Sequence, residues 1–228
     1  MINNQNLFQT IKDNSEKLLG SFSMELFSIF MSGYKHAQLD FGNQSEEISG
    51  IPIEFHQWVC QKLKVKNKNL SWAITITLFS ATEIEAFDLF INLFSEFSCS
   101  YKQLSKGRQE QEYSNKLSKR NLEDLITEIK FQPAIYLRIW SISRMYAFLN
   151  GYLKACEDFN FCEEIKIELN NFDLWLGKEI ERKTYIYPKC SWHKMLLLFY
   201  PDEKTALEQF FIYYDKYCEL SAKKVDEK

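Results

Sequence analysis

The sequence FMSGYKHA at residues 30–37 recurs as FLNGYLKA at residues 148–155, at an offset of 118. Around both segments, apolar residues recur every three or four positions, which is the spacing of one face of an α-helix. Each copy also has a glycine and an alanine on that face, and these small residues would let another helix approach closely. The two segments therefore predict two similar helices with closely packed faces.

Further matches follow both segments in the same order. Residues 40–41 match residues 158–159 (Asp-Phe), and residues 71–72 match residues 191–192 (Ser-Trp). The offset changes from 118 to 117 and then to 120, so only two small length changes are needed. Eighteen residues are identical over about 60 aligned positions, and internal duplication explains this agreement better than chance does.

The duplication predicts the domain organisation. We expect two tandem homologous helical repeats packed together, residues 1–97 and 121–228, with residues 98–120 as a basic linker or exposed helix. Residues 98–121 hold six lysines and arginines and two glutamates, a charge of +4, whereas the whole chain has a net charge of -3. The two repeats are therefore the acidic part of the chain.

Composition limits the class of protein. An apolar fraction of 46%, with 16% aromatic residues, supplies enough material for a buried core. The net negative charge argues against a nucleic-acid partner, because binding to phosphates calls for a basic surface. The N-terminal residues lack a signal-peptide pattern, and no apolar stretch reaches the roughly 18 residues of a membrane span. We expect a soluble, cytoplasmic protein with no membrane partner.

The pattern of residues predicts a mainly α fold. Seven Gly and four Pro are too few turn residues for a chain of many hairpins. Apolar residues at helical spacing follow in both copies, at 55–63 and at 172–180. Residues 72–79 and 192–199 are ambiguous because 73–78 alternates like a strand. Helix is the preferred interpretation, and the alternative is an α+β fold with one or two short strands per repeat.

The start of the next helix is also predicted. Residues 80–83 (Ser-Ala-Thr-Glu) match a capping box, in which Ser80 accepts a backbone N–H and Glu83 reaches back. In the second copy, Pro201 is expected to open the same helix. Leu78-Phe79 and Leu198-Phe199 are apolar in both copies, and we interpret them, like the other shared positions, as scaffold.

Acidic residues are shared by the two copies. They are Asp40, Glu46, Glu47, Asp158, Glu163 and Glu164. Paired carboxylates can bind a metal or act as acid and base. They also follow one helix and precede another, where carboxylates cap free N–H groups. We prefer capping or solvation, and, if the acids are functional, a patch for a basic partner rather than catalysis.

Catalytic and cofactor motifs are not found in the sequence. It contains no glycine-rich phosphate loop, no nucleophile elbow and no HExxH segment, and its three histidines occupy unrelated repeat positions. Cys190 and His193 have a ligand-like spacing but lack the second close pair of a structural zinc site. We therefore expect no catalytic residue, no cofactor and no metal, and we interpret the six cysteines as reduced thiols.

Tryptophans provide one candidate for partner binding. Four of the five lie at matching repeat positions on apolar faces, which is typical of core packing. They are Trp58, Trp72, Trp175 and Trp192. Trp140 has no counterpart among the aligned residues, so we expect it to be exposed and available to a partner.

A short motif resembles that of a known group. Residues 132–138 (QPAIYLR), Ser141 and residues 147–152 (AFLNGY) resemble the R-P-x-M-Y-L-G…F-x-x-G-Y pattern of small bacterial proteins, many of them placed among immunity proteins of polymorphic toxin systems. Residues 191–217 are also similar to that group. Gln132, Ile135 and Arg138 stand where the pattern has Arg, Met and Gly. The resemblance implies a cytoplasmic inhibitor that binds a cognate toxin domain and blocks its active site, without catalytic residues of its own.

These observations favour a non-catalytic inhibitor that neutralises the C-terminal domain of a cognate bacterial toxin, such as a nuclease, by stoichiometric binding. The candidate partner-binding residues are Trp140 and the six shared acids. The alternatives are a metal-dependent hydrolase that uses those acids and a cytoplasmic adaptor or structural protein. Because the repeat reports scaffold, we expect specific function where the copies differ: at Trp140, in residues 98–121, and in the loops at 64–69 and 181–189.

Overall fold

The computed structural model describes residues 4–42, 51–67, 69–104, 121–160, 163–185 and 187–226. Over these ranges the chain forms twelve helices and no strand, so the mainly α prediction is confirmed. Residues 72–77 and 192–199 are helical. The α+β alternative is therefore wrong for the ranges given.

The helices fall into two groups of six. The first half, residues 4–104, contains α1 (Asn4–Asp13), α2 (Ser15–Leu19), α3 (Met24–Asp40), α4 (Ile53–Lys62), α5 (Trp72–Thr77) and α6 (Glu83–Leu104). The second half, residues 121–226, contains α7 (Leu122–Phe131), α8 (Pro133–Leu137), α9 (Ile142–Asp158), α10 (Glu163–Thr184), α11 (Trp192–Phe199) and α12 (Glu203–Asp226). None of these helices is long and apolar enough to cross a membrane.

Helices of the two halves correspond in order and in position. Helices α1, α2 and α3 begin and end 118 residues before α7, α8 and α9, and α6 begins 120 residues before α12. The largest difference is that α4 has 10 residues and α10 has 22. Helix α6 continues to Leu104, past the predicted end of the first repeat at residue 97, and the rest of the basic segment, 105–120, lies outside the described residues.

The halves meet where α3 crosses α9. Gly33 lies against the carbonyl of Phe148, and Gly151 lies against the carbonyl of Phe30, so each glycine meets the same position of the other half. A Cβ on either glycine would come about 1 Å closer to that carbonyl oxygen than the 3.0 Å below which Cβ contacts are essentially never found. The close approach predicted from the repeated segment is therefore confirmed, and the helices that approach are the two copies themselves.

Aromatic side chains fill the core of each half. Phe90 packs within 5.2 Å of the Trp72 ring centroid, and Phe210 packs within 4.7 Å of Trp192. Most of the neighbouring ring pairs meet edge to face or tilted, the geometries that aromatic quadrupoles prefer. Trp72 is 9% exposed and Trp192 is 3% exposed. The prediction that these tryptophans are core residues is confirmed.

The predicted cap of α6 is wrong by two residues. Thr82 Oγ1, rather than Ser80, accepts from the backbone N–H of Glu85 at 3.2 Å, and Glu85 reaches back to the N–H of Ala81 at 2.9 Å. Glu83 is thereby released from capping and accepts instead from the backbone N–H of Met24, at the start of α3, at 2.8 Å. In the second half Asp202 caps α12 through Thr205 at 2.7 Å, so Pro201 lies before the cap and does not open the helix.

Candidate functional site

Asp40 and Asp158 each form a hydrogen bond that joins the two halves. They are the last residues of α3 and α9. The hydroxyl of Tyr152 donates to Asp40 Oδ2 at 2.9 Å, and the hydroxyl of Tyr34 donates to Asp158 Oδ2 at 3.0 Å. Both carboxylates therefore accept hydrogen bonds from the opposite half, a contact that the capping interpretation does not include. A carboxylate at a helix C-terminus opposes the helix dipole, and the tyrosine hydroxyls offset that cost.

Burial reinforces the assignment of these acids to the scaffold. The side chain of Asp158 is 8% exposed and also pairs with Lys154. Burial, and then the charge of Asp158, raises the pKa of Tyr34, so that phenol stays a donor at neutral pH. Each acid thus serves a hydrogen bond between the halves, and little of Asp158 is left for a partner.

The other candidate acids lie elsewhere. Glu163 and Glu164 are exposed in the first turn of α10, where carboxylates suit the helix dipole. Glu46 and Glu47 lie outside the described residues. Among the residues that are described, no three His, Cys, Asp or Glu side chains are grouped so that they could hold a metal ion.

Trp140 lies just before α9, where hydrogen bonds to Glu203 join the start of α9 to the start of α12. Glu203, the first residue of α12, accepts from Ser141 Oγ at 2.7 Å, from Ser143 Oγ at 2.6 Å and from the Ser143 backbone N–H at 3.0 Å. These bonds tie the turn before α12 to the start of α9. As a result, Lys204 Nζ lies 5.8 Å from the ring centroid of Trp140, a cation–π distance.

We call the hydrogen-bonded group of Glu203, Ser141 and Ser143 the Glu203 clasp. Its hydrogen bonds favour the charged form of Glu203. Burial opposes ionisation of Glu203, but the hydrogen bonds from Ser143 and Ser141 outweigh it and hold the pKa of the carboxyl below its ordinary value. Glu203 therefore accepts all three bonds as a carboxylate at neutral pH, and charge-assisted bonds of this kind are the stronger ones. The backbone on which Trp140 is mounted is accordingly well supported.

Exposed apolar side chains surround this junction. Trp140 is 39% exposed, the adjoining Ile139 is 55% exposed, and Leu198 and Phe199 at the end of α11 are 68% and 47% exposed. Phe199 is four residues before Glu203 in the chain, so the end of α11 lies within about 14 Å of the residue that bonds to Ser141, the neighbour of Trp140. We call these four residues the Trp140 patch. Apolar side chains left exposed on a fixed backbone are typical of a protein-binding surface.

The first half has an equivalent surface. Trp140 has no counterpart in the sequence comparison, but the helix offset of 118 places Phe22 there, half-buried against Phe87 at 5.8 Å. Leu78 and Phe79 are 69% and 53% exposed, and Ile84 beside Glu83 is 59% exposed. We call Phe22, Leu78, Phe79 and Ile84 the Phe22 patch.

The shared Leu-Phe pairs were therefore misassigned by sequence reasoning. Leu78-Phe79 and Leu198-Phe199 are not buried scaffold. On α11, Trp192, Met195 and Leu196 already fill the inward face, so Leu198 points outward, and Phe199 lies at the last, uncovered turn. The helical spacing identifies Leu198 as an outward position, whereas the exposure of Phe199 depends on where the neighbouring helices end.

Cys190 and His193 lie in different surroundings, since His193 is buried and Cys190 is partly exposed. His193 is 3% exposed, stacks on Tyr146 with centroids 3.7 Å apart, and pairs through Nδ1 with Ser191 Oγ at 3.0 Å. Burial, and then the charge of Lys194, lowers the pKa of His193 to about 4. Cys190 remains half-exposed with its thiol free. His193 is thus a neutral residue packed between the halves, beside Gly20.

A charged contact between the halves was not anticipated from the sequence. Arg144 is 8% exposed, forms an ion pair with Glu25 and donates to the carbonyl of Leu137 at 3.1 Å. Its neighbour Arg138 donates to Ser28 Oγ at 3.3 Å. The counterparts of Glu25 and Arg144 in the other half are Ser143 and Leu26, so the repeat gave no signal for this contact.

No protein-family model, no curated protein and no solved structure matches this chain.

Proposed function

We propose that this chain is a non-catalytic protein-binding inhibitor, an immunity protein that neutralises a cognate bacterial toxin domain by stoichiometric binding. The observation that carries the proposal is the Trp140 patch, exposed aromatic and aliphatic side chains on a backbone held by the Glu203 clasp. The resemblance of residues 132–152 to immunity proteins supplies the class of partner.

Physical requirements of such an inhibitor are modest. A stable complex buries roughly 800 Å² on each partner and depends on a few anchors, among which tryptophan is common. Trp140 can serve as such an anchor because its position is fixed before the partner arrives, which lowers the entropy lost on binding. No reactive group and no cofactor is required.

The negative charge of the chain would increase the rate at which it binds a basic toxin domain. The exposed Glu163 and Glu164 belong to a chain with a net charge of -3. An acidic surface accelerates encounter with a basic partner, and nucleases are commonly basic because they bind phosphates. We therefore assign these glutamates to steering, with an effect on the association rate and its salt dependence.

The cytoplasm is the compartment that we propose. Four cysteines in the described part of the chain have thiols outside any disulfide bond: Cys60, Cys99, Cys190 and Cys218. Reduced thiols in this number are typical of a reducing compartment. An immunity protein acts there because the producing cell must be protected from its own toxin.

The test uses the toxin domain encoded next to the gene for this chain. Binding is measured by calorimetry for the wild-type chain and for two variants that differ only in the half they affect, Phe199→Ala and Phe79→Ala. We expect Phe199→Ala to weaken binding about tenfold, which corresponds to about 1.4 kcal/mol, and Phe79→Ala to leave it unchanged. Equal effects of the two variants would contradict the assignment to the Trp140 patch, and absence of binding by the wild-type chain would contradict the function.

A further inference from the structure

Arg138 is held in a backbone conformation that arginine rarely adopts. It follows α8 with φ 65° and ψ -41°, in the positive-φ region where an L side chain is strained. The corresponding residue of the first half is Gly20, which has φ 86° and carries no side chain that this conformation could strain. A glycine would therefore satisfy the fold at position 138, and the arginine stands there at a cost in backbone strain.

The guanidinium of Arg138 has no acidic partner among the described residues. Its hydrogen bond runs from Nη1 to the neutral Ser28 Oγ at 3.3 Å. Arg138 is exposed, and a guanidinium carries five N–H donors in a planar fork. Most of these donors are therefore available to a ligand.

Among the described residues, two charged side chains act on Arg138, and they neutralise each other. Arg144 forms an ion pair with Glu25. Partial burial of the Arg138 guanidinium, and then the charge of Arg144, lowers its pKa, and the charge of Glu25 raises it. Residues 134–139 carry a charge of +1 from Arg138, whereas the corresponding residues 16–21 hold one glutamate and one lysine and have no net charge.

Exposed apolar side chains flank Arg138. Ile135 is 64% exposed and Ile139 is 55% exposed, and their Cα atoms lie within about 6 Å of that of Arg138. The first half has Lys17 and Ser21 at these positions, so the apolar flanks, like the arginine, belong to the second half alone. Exposed arginines beside apolar side chains are typical anchors of protein interfaces.

We propose that Arg138 binds a side-chain carboxylate of a protein partner, and that apolar side chains next to this carboxylate pack on Ile135 and Ile139. The planar fork of arginine matches a carboxylate and can bind it through two parallel hydrogen bonds. Apolar flanks shield such bonds from water, and the lower local dielectric strengthens them. A single arginine between two isoleucines does not match the run of phosphates of a nucleic acid.

Arg138 directly precedes Ile139 of the Trp140 patch, so the carboxylate site rests on the proposed function and deepens it by naming a chemical group that the toxin domain presents. Net charge steers the encounter over a long range, whereas Arg138 contacts one carboxylate. A toxin domain that is basic as a whole can therefore satisfy both.

The carboxylate site is tested without the toxin domain. The probe is the peptide acetyl-Leu-Glu-Leu-amide, and the control peptide has glutamine in place of glutamate, which keeps the shape and removes the charge. Binding to the intact chain is followed by NMR through the backbone N–H signal of Ile139. We expect a saturable shift with the glutamate peptide and about tenfold weaker binding of the glutamine peptide, because charge-assisted hydrogen bonds are the stronger ones.

Three variants separate binding from folding. R138Q removes the charge and should weaken binding of the glutamate peptide about tenfold or more. K166Q removes a charge at an exposed pair with Glu157, near the other end of α9, and should leave binding unchanged. R138G introduces the residue of the first half and should weaken binding as R138Q does. Its urea midpoint should be no lower than that of the wild-type chain, because backbone strain is released.

The proposal is overturned if the wild-type chain does not bind the glutamate peptide, if the two peptides bind equally, or if R138Q and K166Q have equal effects. It is also overturned if a single-stranded oligonucleotide shifts the Ile139 signal at a lower concentration than the peptide does. A urea midpoint of R138G well below that of the wild-type chain would show that Arg138 serves the fold instead. Because the toxin domain is absent, failure of the proposed function would leave these outcomes unchanged, and failure of the carboxylate site would leave the test with Phe199→Ala unchanged.

Discussion

Substitution of the crossing glycines is the sharpest structural prediction. Replacing Gly33 or Gly151 by alanine places a Cβ about 1 Å inside the 3.0 Å limit to the carbonyl oxygen of Phe148 or Phe30. The obstacle is backbone within a helix, which cannot rotate out of the way as a side chain can. Helices α3 and α9 must therefore move apart by about the length of the overlap.

The magnitude follows from two opposing effects. Separation by 0.5–1 Å forfeits about a quarter to a half of the dispersion energy between facing atoms, and overpacking of a core position costs about 1–3 kcal/mol. Alanine in a helix recovers about 0.5–1 kcal/mol relative to glycine. We expect Gly33→Ala and Gly151→Ala each to lower the free energy of unfolding by roughly 1–2 kcal/mol. The double variant should cost less than the sum, because one separation relieves both overlaps.

Urea denaturation followed by circular dichroism measures these changes as shifts of the midpoint at constant slope. Gly177 provides the matched control, since it is also a helical glycine, but its Cβ would meet the ring of Tyr187 at 2.9 Å. That ring is 38% exposed and can swing into solvent. Gly177→Ala should therefore be neutral or slightly stabilising. The reasoning is refuted if Gly33→Ala is as stable as Gly177→Ala, or if the double variant shows the full sum.

Three further predictions concern polar contacts. Glu179→Gln should lower the free energy of unfolding by about 1–2 kcal/mol because it removes charge-assisted bonds from a buried group. Glu96→Gln, at an exposed pair, should lower it by under about 1 kcal/mol. Equal losses in urea denaturation would contradict this prediction. The pKa of His193 is lowered to about 4, so the unfolded chain takes up this proton first and stability falls as pH drops from about 6.5 towards 4, by about 2 kcal/mol at pH 5. His193→Gln should lack that part of the pH dependence, and an unchanged pH profile of the urea midpoint would show that the histidine is not its source. Tyr34→Phe removes the hydroxyl bonded to Asp158 and should lower the free energy of unfolding by about 1–2 kcal/mol. Thermal unfolding would show this as a lower melting temperature, and an unchanged melting temperature would contradict the prediction.

Much of the fold follows from periodicity in the sequence. Helix faces, the close approach at Gly33 and the buried Trp72 and Trp192 depend on local spacing, which the sequence displays directly. Correspondence of α1 with α7 was missed, although Leu7 and Ile11 match Leu125 and Ile129 at the offset of 118. Those positions are buried in both halves, and Lys12 also matches Lys130, but three identities in a short segment give little signal without the known helix bounds.

Residues that act between helices far apart in the sequence could not be assigned in this way. Asp40 and Asp158 look like helix-terminal acids in the sequence, and only the crossing of α3 and α9 places a tyrosine beside each. Glu83 fits a capping box, yet it accepts a hydrogen bond from Met24, which is 59 positions away in the sequence. Such contacts depend on tertiary geometry that no local spacing encodes.

Exposure was the other property that sequence reasoning misjudged. Leu198 and Phe199 resemble core residues because they are apolar in both halves, but burial depends on whether another helix covers them. The positions shared by the halves therefore include exposed apolar pairs as well as buried scaffold residues. The halves differ in the lengths of α4 and α10, in the contact that Arg144 makes with Glu25 and in the exchange of Phe22 for Trp140.

The central claim is inhibition by stoichiometric binding, and titration of the toxin domain tests it most directly. With the toxin domain held above the dissociation constant, its activity is measured as this chain is added in increasing amounts. We predict a linear fall to zero at one equivalent, with Trp140→Ala requiring a large excess for the same effect. Complete loss of toxin activity at a small fraction of an equivalent would mean that this chain turns over as a catalyst, and undiminished activity at a large excess would mean that the toxin is not its partner.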